Sequence, residues 1–360
     1  MLRLDSLDIF RNEKCRKSLR RYFGILEEKR KAQFIVSKLF ETDYTEDTDD
    51  KTLWRTHETL TKEYKKFLND VYTEASGLDD MKRPAKSYFD LKIAIAHRIM
   101  RNCSFCLRAC RIDRTSGARG YCKCGNEIAL SSAFDHWGEE PELVPSGTIF
   151  TCGCTMTCLH CQNFSISQWL ESSTRVDAEE LARVVEGLHA RGCRNANLVG
   201  GDPTPWLQIW LEAFKNVCVN VPVVWNSNTY YSEETARLLA GFADVYLLDF
   251  KYGPGDCAER ISNAPNYWSI CTQNHLTAKM YGELIVRVLV LPGHLECCTK
   301  PILDWIAKNL GRSTRVNVMF QFRPEWRAGE VPELRRRLTG EERKRAVELA
   351  RDAGLDNYLT

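Results

Sequence analysis

The sequence predicts an α/β protein: a partial (β/α)6 barrel, preceded by a cysteine-rich module and a helical N-terminal extension. Two observations point to the barrel. From residue 145 onward, short apolar runs alternate with longer segments of helical spacing, the pattern of a parallel sheet covered by helices. The tips of those runs carry Gly, Asn, Asp and Cys, at the strand ends where a parallel barrel places its active site. A third observation sets the extension apart: residues 1–98 are rich in Lys, Arg, Glu and Leu and poor in glycine.

Within residues 1–98, the segments Lys14 to Lys38 and Leu53 to Tyr72 carry helical spacing, as in Leu60, Tyr64, Phe67 and Val71. The acidic stretch Glu41 to Asp50 between them reads as a loop, and the whole extension is expected to pack on the barrel. Residues 99–144 form the cysteine module, with Cys103, Cys106 and Cys110 followed by Cys122 and Cys124. Four or five thiolates suffice to close a tetrahedral zinc site or to hold an iron–sulfur cluster, and ligand type alone does not choose.

In residues 145–330 the expected strands are Thr148–Thr151, Asn197–Val199, Val221–Trp225, Val245–Phe250, Leu284–Leu291 and Val316–Phe322. Helices are expected over Ala178–Arg191, Pro205–Val217, Glu233–Ala240, Tyr267–Tyr281 and Lys300–Asn309, with Asp177 and Ser232 as N-caps. Residues 331–360 add a C-terminal helix, Gly340–Asp352.

Composition excludes some functions. A formal net charge of +2 argues against a nucleic-acid duplex as partner, because phosphate binding needs a concentrated basic surface. The basic runs at 16–21, 335–337 and 343–345 read as solvated helix faces. No apolar run reaches the length of a bilayer span, and the first residues lack the apolar core of a signal peptide, so a cytoplasmic protein is expected. Sixteen cysteines in a reducing compartment then point to metal binding rather than to disulfides.

The chemistry concentrates at the strand tips. The first strand runs into Cys154, Cys158 and Cys161, a C-x3-C-x2-C loop. A [4Fe–4S] cluster is usually held by four thiolates, so three leave one iron open to a chelating ligand; zinc or buried thiols are the other readings. The second strand ends in Gly200-Gly201-Asp202, where bare backbone and a carboxylate can meet a ligand ammonium. The third presents Asn226, Ser227 and Asn228, the fourth Asp249 and Lys251 on one face, and the fifth a lone Arg287. His294 and the vicinal Cys297 and Cys298 follow, with no role legible.

The Cys154–Cys161 loop, with His160 before its last cysteine, resembles the signature of the radical S-adenosylmethionine (radical SAM) superfamily, and Gly200-Gly201-Asp202 resembles that family's GGE motif. From Cys103 to about Arg327 the chain looks like the pyruvate formate-lyase-activating-enzyme homologues called PflX-like. The stretches that carry this likeness are 153–163, 197–205, 225–228, 244–251 and 296–301. The resemblance implies a TIM-like partial barrel, a [4Fe–4S] cluster on Cys154, Cys158 and Cys161, and S-adenosylmethionine (SAM) on its open iron. Reductive cleavage would then release a 5′-deoxyadenosyl radical for hydrogen abstraction. Gly200, Gly201 and Asp202 are expected to hold the SAM amino group, with His160, Asn226, Ser227 and Asp249 lining the cofactor and Lys251 and Arg287 as catalytic candidates. A second metal site, zinc or [4Fe–4S], falls to Cys103, Cys106, Cys110 and Cys122. The implied partners are a low-potential donor such as flavodoxin or ferredoxin, and as substrate a glycyl-radical protein, a small molecule or a peptide. A non-catalytic iron–sulfur electron carrier is the rival reading. Asp202 stands where Glu is usual, and Asn226 where activating enzymes often carry the Asp of a cation site. The cysteine module precedes the radical motif, whereas many activating enzymes insert theirs after it.

Overall fold

The computed structural model describes residues 3–70, 82–171 and 173–360, so the expected helical positions Val71 and Tyr72 lie outside it. Among these residues one sheet of nine strands is formed: β1 (Ile128–His136), β2 (Ser146–Thr151), β3 (Thr174–Val176), β4 (Ala196–Gly200), β5 (Val223–Ser227), β6 (Val245–Asp249), β7 (Glu283–Leu289), β8 (Arg315–Met319) and β9 (Tyr358–Leu359). Their order across the sheet is β3-β1-β2-β4-β5-β6-β7-β8-β9. From β2 through β9 every pairing is parallel, while β1 runs antiparallel to both β2 and β3. The predicted (β/α)6 half-barrel is therefore present as β2 and β4 to β8.

The strand limits shift from expectation for local reasons. Val223 opens β5 because Pro222 has no N–H to offer the ladder, and its carbonyl instead accepts from Ala196 N at 3.0 Å. The helix expected over Lys300–Asn309 is α-helical only to Trp305, then widens into a π turn, Ile306–Leu310. Asp177 and Ser232 do cap their helices, each side chain accepting from the backbone N–H three residues on. Strand β1 was not anticipated: it has a register shift between Leu130 and Ser132, and its exposed Phe134 breaks the alternation that would announce it.

The N-terminal segment is not one helix from Lys14 to Lys38 but three short ones, Glu13–Ser18, Arg20–Leu26 and Gln33–Ser37. Leu19, with φ −123°, breaks the first joint, and Glu28, with φ +54°, lies in the second. Ile9, Cys15, Leu19, Tyr22 and Phe23 from this region pack against Val224, Val245, Leu247 and Ile285 at the lower, N-terminal ends of the barrel strands. Polar ties fix the seat. The Glu283 carboxylate accepts from Arg21 N (2.6 Å) and Tyr22 N (2.7 Å), and Asp244 accepts from Gln33 N and Val223 N, both at 2.9 Å. The extension thus closes the floor of the half-barrel. Among the described residues no helix is long and apolar enough to cross a membrane.

Candidate active site

At the opposite end, the loop leaving β2 carries Cys154, Cys158 and Cys161 into a cleft also lined by His160, Gly200, Gly201, Asn226, Ser227, Asn228, Asp249, Lys251 and Arg287. Eleven of the twelve residues expected around the radical loop therefore face one space. Strand alternation explains it: Asn226, Asp249 and Arg287 are inward-facing tips of β5, β6 and β7, and Asp249 and Arg287 are register partners.

The exception is Asp202. Its buried carboxylate accepts from Thr204 N (2.9 Å), Ser227 Oγ (3.0 Å) and Asn228 N (2.9 Å). It ties the loop after β4 to the tip of β5, and burial pushes its pKa up. The surface it leaves for a ligand is backbone. Gly200 has φ +142°, and a Cβ on Gly201 would lie 2.0 Å from Gly153 O, so only glycines let the β4 tip press this closely on the cysteine loop.

The other side chains are cross-linked. Asp249 and Lys251 form an ion pair; burial opposes the lysine's charge, but Asp249 and Cys158 hold its pKa above normal. Arg287 is claimed by Glu139 and, at 2.8 Å, by Glu140, while its Nη1 donates to Asn226 Oδ1 at 3.2 Å. It therefore does not pair with Asp249. Asn226 lines the cleft, and its amide nitrogen is buried with no hydrogen-bond partner. His160 sets Nε2 against Tyr252 Oη at 2.8 Å, and burial lowers its pKa to about 4, so its ring is neutral at pH 7.

Glu139 and Glu140, on the β1–β2 connection, are the functional neighbours that sequence reading missed. Glu140 also accepts from Asn317 at 2.8 Å, and Glu142 binds Arg315 at 2.8 Å deeper in the lumen. The available signal was indirect: Arg287 and Arg315 in apolar strands require buried carboxylates somewhere, and the Glu139–Glu142 run offers them.

The donor set fits an iron–sulfur cluster. Burial raises all three thiols, Cys158 to about 11, so thiolates here need a cationic centre. Asn228 Nδ2 (3.4 Å) and Met156 N donate to Cys154 Sγ, and Ser167 Oγ lies 3.2 Å from Cys161 Sγ. Among the described residues, only Cys257, Cys297 and Cys298 form a group of three metal-type donors within 4.8 Å of one another. Cys154, Cys158 and Cys161 are not such a group. The fold also brings Cys103, Cys106, Cys110 and Cys122 close enough to perturb one another. Burial pushes Cys106 up to about 12, whereas a hydrogen bond from Cys124 lowers Cys122 to about 6. This module braces the radical loop directly, through Tyr121 Oη to Thr157 Oγ1 (2.8 Å) and Arg108 Nε to Thr155 O (3.1 Å).

Comparison with known proteins bears on the same residues. The model of the radical SAM superfamily matches residues 148–306. An uncharacterized protein of Methanocaldococcus jannaschii is 41% identical over 345 residues, covering 94% of this chain and 98% of its own length. A second uncharacterized protein of that organism is 24% identical over 252 residues, covering 64% of this chain and 73% of its own. Among solved structures, Streptococcus suis SuiB bound to precursor peptide SuiA aligns over 55% of this chain at 14% identity, with a TM-score of 0.41. SuiB bound to S-adenosylmethionine aligns over 57% at 14% identity, with a TM-score of 0.42. These alignments span only 43% and 48% of the SuiB chains.

Proposed function

The chain belongs to the radical SAM superfamily, which implies a [4Fe–4S] cluster and S-adenosylmethionine, and from that premise we propose that it is a hydrogen-abstracting enzyme working at the half-barrel rim. The observation that carries the reading is the cleft itself: three cysteines, a glycine backbone wall and the side chains of Asn226, Asp249 and Lys251 line one space. When bound, the cluster and SAM supply reductive cleavage of the sulfonium to a 5′-deoxyadenosyl radical. Cys154, Cys158 and Cys161 are the cluster ligands, with Asn228 steadying Cys154. Backbone at Gly200 and Gly201 receives the SAM amino group, while Asp202 positions that backbone and the β5 tip. Asn226 Nδ2 donates to a ligand oxygen. Lys251 and Asp249, neutralising each other, orient substrate and exclude water. His160 stays neutral and anchors the cluster loop by packing against Phe322.

A PflX-like assignment extends this reading, and within it we favour a small molecule or peptide as hydrogen donor over a glycyl-radical protein. The specific support is Asn226. It is an amide where activating enzymes often carry the Asp of a cation site, and its oxygen is already engaged by the Arg287 guanidinium. Cys103, Cys106, Cys110 and Cys122 are read as ligands of a second metal site, zinc or [4Fe–4S]. An external low-potential donor, of the flavodoxin or ferredoxin type, supplies the electron.

The test is anoxic reconstitution with iron and sulfide, followed by strong reduction in the presence of SAM. The expected product is 5′-deoxyadenosine, abolished in Cys158→Ala. An iron-loaded wild-type protein that yields none would leave the electron-carrier reading in its place.

A further inference from the structure

We propose that Cys257, Cys297 and Cys298 form a mononuclear site for a soft divalent metal, zinc being the fitting ion, which staples two rim loops together. The site is separate from the three-cysteine loop and independent of the radical reading. Cys257 opens the short helix Cys257–Ser262 after β6, whereas Cys297 and Cys298 sit in a π turn, Leu295–Thr299, after β7. Their sulfurs converge: Cys257 Sγ to Cys297 Sγ is 4.0 Å, Cys297 Sγ to Cys298 Sγ is 3.8 Å, and all three lie within 4.8 Å. Thiolates bound to one ion at about 2.3 Å stand about 3.8 Å apart if tetrahedral and about 4.0 Å apart if trigonal. These sulfurs need almost no movement to share an ion.

The surroundings are built for that approach. A Cβ on Gly253 would lie 2.0 Å from Cys297 O, so only glycine allows the two loops to pack this closely. The π turn is the irregularity that directs two consecutive thiols to one point, and such turns recur at functional sites. Arg260, held by Glu333 at 3.0 Å, stands three residues along the same short helix from Cys257 and brings a positive charge to the neighbourhood of the three thiolates. His294 is not the fourth ligand: Nδ1 is engaged by Pro292 O at 2.8 Å and Nε2 by Arg260 at 3.4 Å. Cys257 and Cys298 are buried and Cys297 is exposed, so the remaining coordination position opens to water. Thiolates with no hard oxygen donor select zinc over magnesium or calcium. Binding releases thiol protons and requires no electron transfer. The staple has a target, because Ser262 Oγ bonds Tyr252 Oη at 2.5 Å and Tyr252 in turn contacts His160 of the cleft.

The experiment uses full-length protein prepared without oxygen, its iron–sulfur sites loaded, then titrated with zinc alone and desalted. Metal analysis is expected to show one more equivalent of zinc in wild type than in Cys297→Ser or Cys257→Ser, with equal iron in all three. Because Cys297 is exposed, its serine variant keeps the fold. As a second readout, zinc should slow alkylation of Cys297 by about tenfold or more, and a chelator should restore the rate. Equal zinc in wild type and variants, or unchanged alkylation, overturns the site. A loss of iron instead of zinc in the variants also overturns it, by assigning these cysteines to a cluster.

Discussion

Asn226 has one polar atom engaged and one not: its oxygen is spent on Arg287, and its buried nitrogen has no protein partner, which the proposed function assigns to a ligand. Replacing it by Ala should weaken SAM binding about tenfold, the usual cost of one hydrogen bond to a charged group, with thermal stability little changed. Unaltered affinity in equilibrium dialysis would remove Asn226 from the site. His275 makes a contrasting case. Fully buried against Phe250 and Trp305, with Nδ1 on Cys271 O at 2.7 Å, it is held neutral, its pKa lowered by burial to about 4. Between about pH 6.5 and 4 the unfolded chain takes a proton there that the folded chain refuses, so stability falls as pH falls, by up to about 3 kcal/mol. His275→Phe should flatten that slope; denaturant midpoints at pH 7 and pH 5 that shift equally in both proteins would refute it. The cysteines stood out by their spacing, and Asn226 and Asp249 were expected at the strand tips because alternation fixes which residues share a face. Asp202 was read as a ligand group because nothing local reveals that Ser227 and Asn228 claim its oxygens.

Among the elements, the β1–β2 connection is the one whose importance no local pattern signals. Its carboxylates meet partners far along the chain, Glu140 at Arg287 and Glu142 at Arg315, and a short stretch of sequence carries no record of such distance. Glu142 and Arg315 are both almost wholly buried, so each is tolerated only because of the other. Glu142→Ala should cost about 3–5 kcal/mol in urea denaturation, while Glu142→Leu combined with Arg315→Met should recover most of it. A single-variant loss below about 1 kcal/mol would mark the pair as no stronger than a surface bridge. The six parallel strands and their helices, by contrast, were readable to within a few residues, since apolar periodicity and caps are local. Strand β1 and the joints at Leu19 and Glu28 were not, because they depend on what packs against them.

For the molecule as a whole, the N-terminal helices and the barrel form one folding unit. Removing residues 1–38 would bare Val224, Val245, Leu247 and Ile285 to water and strip Glu283 and Asp244 of their backbone donors. The truncated chain should bind hydrophobic dyes and aggregate; a monomeric product melting at the full-length temperature would show that the floor is dispensable. A helical extension packing on the barrel was expected from composition and helical spacing, but its position beneath the strands was not, because the apolar faces of Tyr22 and Phe23 name no partner. The sealed floor has a kinetic corollary. With helices and buried ion pairs stopping the lower end among the described residues, the proposed chemistry would bring fresh molecules to the rim and release spent nucleoside at the same end, and added 5′-deoxyadenosine should then slow turnover.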